Sequence, residues 1–254
     1  MNIFALFCCV LVLFNSSVFA DYKQECEYNL GHGLIYGQDY FECDEKTEKR
    51  VRERWYIEYV NEEPEVTKAI CAFDVSESGR IAVATTDQYI LIYDNQRKFE
   101  YALKFKDSGD YGVLWAGENI ALLTARSDGA YVMSDTGALI CAFSMSSENI
   151  NYWNEIVKVK ERNVGNIHYY VEDRINTTTG EDSFVLKSGY KFLISVNDNG
   201  QKVYLYEATE NLTARERFEY RLNIKLIGCG MVVLMIWIIG YITIRKIREK
   251  YNYN

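Results

Sequence analysis

Hydrophobic positions between Ala69 and Met145 fall into short runs separated by turn residues. Side chains of an extended chain alternate between its two sides. Runs such as Ile81-Ala82-Val83-Ala84 and Ile90-Leu91-Ile92 are therefore apolar on both faces, as in strands covered above and below. The pattern predicts strands near 69–75, 80–86, 89–93 and 100–105, then near 111–116, 119–125, 130–134 and 138–145. Turns fall at Ser78-Gly79, Ser108-Gly109, Ser127-Asp128-Gly129 and Asp135-Thr136-Gly137, where Gly supplies a positive φ. Ile81, Ala82 and Thr85 recur 39 positions later as Ile120, Ala121 and Thr124. Self-similarity at that period predicts stacked four-stranded units, and hence an all-β, propeller-like domain over 65–209.

The period weakens after Ser146. EIVKVK (155–160), NIHYYVED (166–173) and SFVLK (183–187) are expected as strands of a looser third unit, and 191–208 as a hairpin with a type I′ turn at Asn199-Gly200. Upstream, 21–64 reads as an irregular lead-in. EKTEKRVRER (45–54) is expected to be a solvated face or loop, and WYIEYV (55–60) a strand able to close a ring of blades. Closure would remove the open sheet edges that invite aggregation.

Two longer apolar runs flank this domain. Met1–Ala20 is uncharged from Ile3 to Phe14 and ends Val18-Phe19-Ala20, the small-residue spacing of a cleaved signal peptide. Leu226–Ile244 holds 19 uncharged residues, long enough to cross a bilayer as a helix. Arg245, Lys246, Arg248 and Lys250 follow in a tail over 245–254, and an alternately charged stalk (210–225) precedes the span. The expected protein is a single-pass membrane protein with its N-terminal domain outside and its C-terminus in the cytoplasm.

The composition fits this picture. Aromatics make up 15% of the chain, with 21 Tyr and one Pro, which suits pleated sheet. The net charge of −8 argues against a nucleic-acid partner, which needs a clustered basic face.

The segments WYIEYVNEEPE, FDVSESGRIAV, FKDSGDYGVLW, ENI, ARSDGA and YWN resemble uncharacterised, membrane-anchored, extracytoplasmic β-repeat proteins of Gram-positive gut bacteria. The resemblance covers roughly Trp55 to Glu207. It implies location and architecture and transfers no active site.

Candidate chemistry is sparse. There are two His, His32 and His168, and no HExxH, CxxC or GxSxG. The glycines of Gly31-His32-Gly33-Leu34-Ile35-Tyr36-Gly37 have the wrong spacing for a dinucleotide loop and read as a turn. Asn197-Asp198-Asn199-Gly200 lacks the final Glu of a calcium loop. No cofactor or metal is therefore expected. Glu172-Asp173 and Glu181-Asp182 read as solvated loop charge, since glycosidase chemistry needs two carboxyls at a set separation. Of the four cysteines outside the apolar segments, Cys26 and Cys43 flank a loop where a disulfide would help most, and they are the expected bridge. Cys71 and Cys141 lie in identical ICAF strands and read as small buried apolar residues.

The preferred function is a binding or scaffolding module for a protein or surface ligand. Tyr40, Trp55, Trp115, Tyr152 and Trp153 are its contact candidates, because Tyr and Trp dominate binding hot spots. A surface sensor acting through a membrane partner and a hydrolase of cell-surface glycans or peptides are the alternatives.

Overall fold

Four strands, β3 (Ile70–Val75), β4 (Ile81–Thr85), β5 (Tyr89–Tyr93) and β6 (Phe99–Lys104), pair in chain order as an antiparallel meander. A second meander follows as β7 (Tyr111–Ala116), β8 (Asn119–Thr124), β9 (Gly129–Met133) and β10 (Leu139–Met145). These come from a computed structural model, which describes residues 28–107, 109–146, 152–178 and 186–210. Ile81, Ala82 and Thr85 lie on β4, and Ile120, Ala121 and Thr124 on β8, the second strand of each meander.

The sheets are open. One is five-stranded, ordered β1-β10-β9-β8-β7, with β1 being Tyr40–Glu42. The other is nine-stranded. It runs β11 (Glu161–Val164), β12 (Ile167–Thr178), β13 (Leu186–Asn197), β3, β4, β5, β6 and β2 (Glu58–Val60), with β14 (Lys202–Glu207) also on β13. Neither closes into a barrel or a propeller, so the expected ring closure is corrected. The segment expected to close it instead adds β2 to the free edge of β6, Tyr59 opposite Leu103. The lead-in is thus built into both sheets, since β1 pairs with β10.

Alternation along the strands divides the core into three layers. Ala82, Ala84, Ile90, Ile92 and Leu103 face Tyr111, Val113, Trp115, Ile120 and Leu122 between the meanders. Phe73, Ile81, Val83 and Leu91 point the other way, onto Tyr169, Ile175, Leu193 and Tyr206 of the β12–β14 hairpins. The opposite face of the second meander (Leu114, Ala121, Leu123, Val132) is covered by Leu30, Tyr40, Tyr152 and Val157. Every residue of β4 is buried, as its two-faced apolar run predicts. Full burial of each Ile, Leu or Val contributes about 1.5–3 kcal/mol, more than the ~1 kcal/mol net of a ladder hydrogen bond.

Three other expectations are revised. EKTEKRVRER is a solvated face as expected, but a helix rather than a loop, α1 (Glu45–Arg54), with no buried residue. Asp44 caps it, accepting from the Thr47 N–H at 2.9 Å, and Glu48 pairs with Arg52 one turn on at 2.8 Å. EIVKVK is not a strand. Trp153–Val157 is a π-helical turn whose Val157 packs on Gly112 of β7, where an added Cβ would lie 2.1 Å from Val157 Cγ1. The 191–208 hairpin is present, but its loop is 198–200 and only Gly200 has positive φ (75°). That is the geometry of a three-residue loop rather than a type I′ turn, which needs two positive φ values.

The C-terminal exit is tied down. Thr209 and Glu210 N–H groups donate to Thr67 O at 3.0 and 3.1 Å, and Lys68 pairs with Glu210 at 2.8 Å. Tyr206 OH donates to Lys68 O at 2.5 Å. The expected signal peptide (1–20), all but the first residue of the stalk, the membrane span (226–244) and the tail lie outside the described residues. Among the described residues no helix is long and apolar enough to cross a membrane.

Within the nine-stranded sheet, β13 meets β3 at a single ladder pair, Tyr190 opposite Ile70. Beside it, a Cβ on Gly189 would lie 2.4 Å from Ile70 O. Gly189→Ala should therefore destabilise by about 1–3 kcal/mol through overpacking against backbone. A denaturant melt with an unchanged midpoint would count against this account of the junction.

Candidate ligand-binding site

Two polar constellations stand out. The first is enclosed. Asp74 of β3 is 0% exposed. Its Oδ2 accepts the Trp115 backbone N–H of β7 at 2.7 Å and lies 2.8 Å from His32 Nε2, while Oδ1 lies 3.1 Å from Arg162 Nε of β11. Burial lowers the Arg162 guanidinium pKa, and the Asp74 carboxylate pushes it back up. The Arg80 guanidinium sits over the Trp115 ring at 5.0 Å and binds Glu100 at 2.6 Å. A buried carboxylate persists only when paired and hydrogen-bonded. Asp74 Oδ2 meets that condition through Trp115 and His32, while Oδ1 and Arg162 Nε form a close ion pair without hydrogen-bond geometry; drawing on four separate segments, the cluster is a fastening between layers. His32, in the turn Gly31-His32-Gly33, has φ 54°, a left-handed backbone adjacent to the contact.

The second is open. A cavity of about 330 Å³ is walled by α1, the segment after it, the β6–β7 connection and the β8–β9 hairpin. Its apolar floor includes Phe105 and Leu122, both buried. Trp55, Tyr56 and Tyr131 give it aromatic walls, and Arg50, Arg54 and Lys106 give it three cations against one carboxylate, Asp107. Arg50 and Arg54 project one turn apart from an exposed helix that ends at Trp55. Neither they nor Lys106 takes part in an ion pair among the described residues. Thr124, Ser127 and Tyr131 form a hydroxyl chain along one side, Thr124 Oγ1 close to Ser127 Oγ and that oxygen 3.0 Å from Tyr131 OH.

The wall is held rigid. Trp55 Nε1 donates to Gly137 O at 2.9 Å, and the indole lies 5.5 Å from the Tyr131 ring. Gly137 has φ +80°, and a Cβ there would meet Ile57 Cγ2 at 2.5 Å. Only glycine lets the β9–β10 turn receive both side chains.

Of the five expected contact residues, Trp55 alone lines this cavity. Tyr40 is buried on β1, its OH donating to Tyr28 O at 2.9 Å and its ring edge-on to Phe143. Trp115 is buried, with its Nε1 unpartnered. Tyr152 packs edge-on to Trp153, and burial pushes its phenol up to about 12. Trp153 lies under the Lys158 ammonium at 5.6 Å. His168 stacks on Tyr170 and lies 2.8 Å from Asn163 Oδ1. Of the expected carboxylate pairs, Glu172-Asp173 lies exposed on β12 and Glu181-Asp182 lies outside the described residues. The described residues hold no cluster of three or more His, Cys, Asp or Glu suited to a metal.

The expected Cys26–Cys43 bridge is also corrected. Cys43 is a free thiol whose Sγ lies 3.4 Å from Ser144 Oγ across the β1–β10 pair, and Cys26 lies outside the described residues. Cys141, expected as an inert core residue, is disulfide-bonded. Cys71 is free, and burial pushes its thiol up to about 12. No family model and no curated protein matches the chain.

Two outcomes are expected. Asp74→Ala leaves half-buried Arg162 without its counter-charge and should cost about 3 kcal/mol in a denaturant melt; a loss under ~1 kcal/mol would make the cluster incidental. In native alkylation at pH 8 without reductant, Cys43 should label slowly, since burial raises its thiol too, while Cys71 and Cys141 stay unlabelled. Reduction in denaturant should then expose both. Peptide mapping that finds Cys141 labelled at the first step contradicts the disulfide.

Proposed function

We propose that the chain is a single-pass, membrane-anchored module that presents an all-β domain outside the cell and binds a ligand there. Binding is its task rather than turnover. The observation that carries this is the rigid-walled cavity with three cations that form no ion pair among the described residues. Its volume falls at the small-ligand end of the usual range for binding sites. The two meanders are read as two copies of one propeller-like unit, supported by the equivalent places of Ile81-Ala82 and Ile120-Ala121 on β4 and β8. The outside location rests on the apolar segments at either end of the chain.

The hydrolase reading is weaker on geometry. Two-carboxylate glycoside hydrolysis needs a partner for Asp107, and among the described residues no other carboxylate lines the cavity. Asp107 is itself committed to the β6–β7 connection, accepting the Gly109 N–H at 3.0 Å.

The test is a cavity filled by a larger side chain. Val51 lines the cavity from α1, and Trp fits a helix at modest cost. Full-length wild type should retain material from an extract of the native cell surface. Val51→Trp, with an unchanged melting temperature, should lose at least about tenfold of it. Equal retention by both proteins would sink the cavity as the binding site.

A further inference from the structure

We infer that the cavity takes an anionic saccharide, a sugar ring carrying a carboxylate, sulfate or phosphate. This rests on the binding reading above and names its ligand class. Three features of the lining converge on it.

The aromatic faces come first. Tyr56 stands 65% exposed at the cavity wall although its neighbours Trp55 and Ile57 are pinned to the β9–β10 turn. An exposed ring on a fixed backbone is a platform without a partner in the fold. Its π face is electron-rich and attracts the C–H face of a pyranose. The Trp55 indole edge is spent on Gly137 O, so its ring face is what it offers.

The hydroxyl chain comes second. Thr124, Ser127 and Tyr131 each both donate and accept, which matches sugar hydroxyls that do the same. A nucleobase edge is usually read by amide side chains, and among the described residues no Asn or Gln lines the cavity.

The cations come third. In a chain of net charge −8, Arg50, Arg54 and Lys106 converge on one space. The C-terminal end of α1 itself repels an anion. The attraction must therefore come from the guanidinium forks, which suit bidentate contact with a carboxylate, sulfate or phosphate.

The experiment titrates full-length protein with four probes at two salt concentrations: trigalacturonate, galactotriose, triglutamate and adenosine monophosphate. Trigalacturonate should bind tightest, with the other three at least about tenfold weaker, and its affinity should fall with salt. Arg50→Gln with Arg54→Gln, both exposed and in no ion pair among the described residues, should reduce trigalacturonate to the affinity of galactotriose without changing the melting temperature. Tyr56→Ala should weaken both sugars alike. Galactotriose binding as tightly as trigalacturonate overturns the anionic requirement, and triglutamate or the nucleotide doing so overturns the sugar. Failure of both sugars to bind overturns the inference outright. None of these touches the binding reading, which falls only if native surface material is retained equally by Val51→Trp.

Discussion

Asp74 is a carboxylate with no exposed surface, set between Phe73 and Val75 at the C-terminal end of β3. Desolvating a carboxylate costs several kcal/mol, and only good geometry returns it. Its partners come from the Gly31–Gly33 turn, from β7 and from β11. Apolar layers packed face to face tolerate sliding, because one methyl group replaces another at little cost. A buried carboxylate does not tolerate it. A shift of one residue would point Asp74 to the other side of β3 and leave Arg162 without its counter-charge. The arrangement that places the meanders side by side, with the N-terminal turn against them, is thus the arrangement in which this charge is paired.

The strands were largely legible and the fastening was not. Short apolar runs rich in β-branched residues, bounded by turn residues, give β3 to β10 within about a residue at each end, since local sterics and burial agree there. α1 was missed because EKTEKRVRER has no apolar stripe. Its signal is chemical, with Asp44 as a cap, acids in the first turn, Arg in the last, and no Gly or Pro. The π-helical turn was unreadable because its cause is distant, a space over Gly112 that only the folded β7 creates. His32 looked like a turn residue and is one, yet its ring reaches a carboxylate 42 positions away.

The cavity shows the same division. Trp55 was legible as an aromatic of the kind that dominates binding hot spots. Arg50, Arg54, Lys106 and Tyr131 were not, because their meeting depends on α1 lying across the edge of the second meander, where Arg52 reaches the carbonyls of Leu139 and Ile140. Tyr40, Trp115, Tyr152 and Trp153 have the residue types of a contact surface, but large aromatics serve interiors equally well. An acidic surface around a local basic recess also has a kinetic meaning. It deflects polyanions approaching at random and admits those that reach the recess itself.

The clamp between Thr67-Lys68 and Thr209-Glu210 sets how the domain answers to load. Whatever lies beyond residue 210 pulls first on two backbone hydrogen bonds to Thr67 O and on the Lys68–Glu210 pair, and only afterwards on β14. Thr67 and Lys68 lead directly into β3, three positions before its first residue in the case of Thr67. Tension entering from the C-terminal side is thereby shared with the central strand that carries Asp74, instead of peeling the β13–β14 hairpin from its loose edge. The domain is anchored mechanically at its middle, although its chain leaves from its rim.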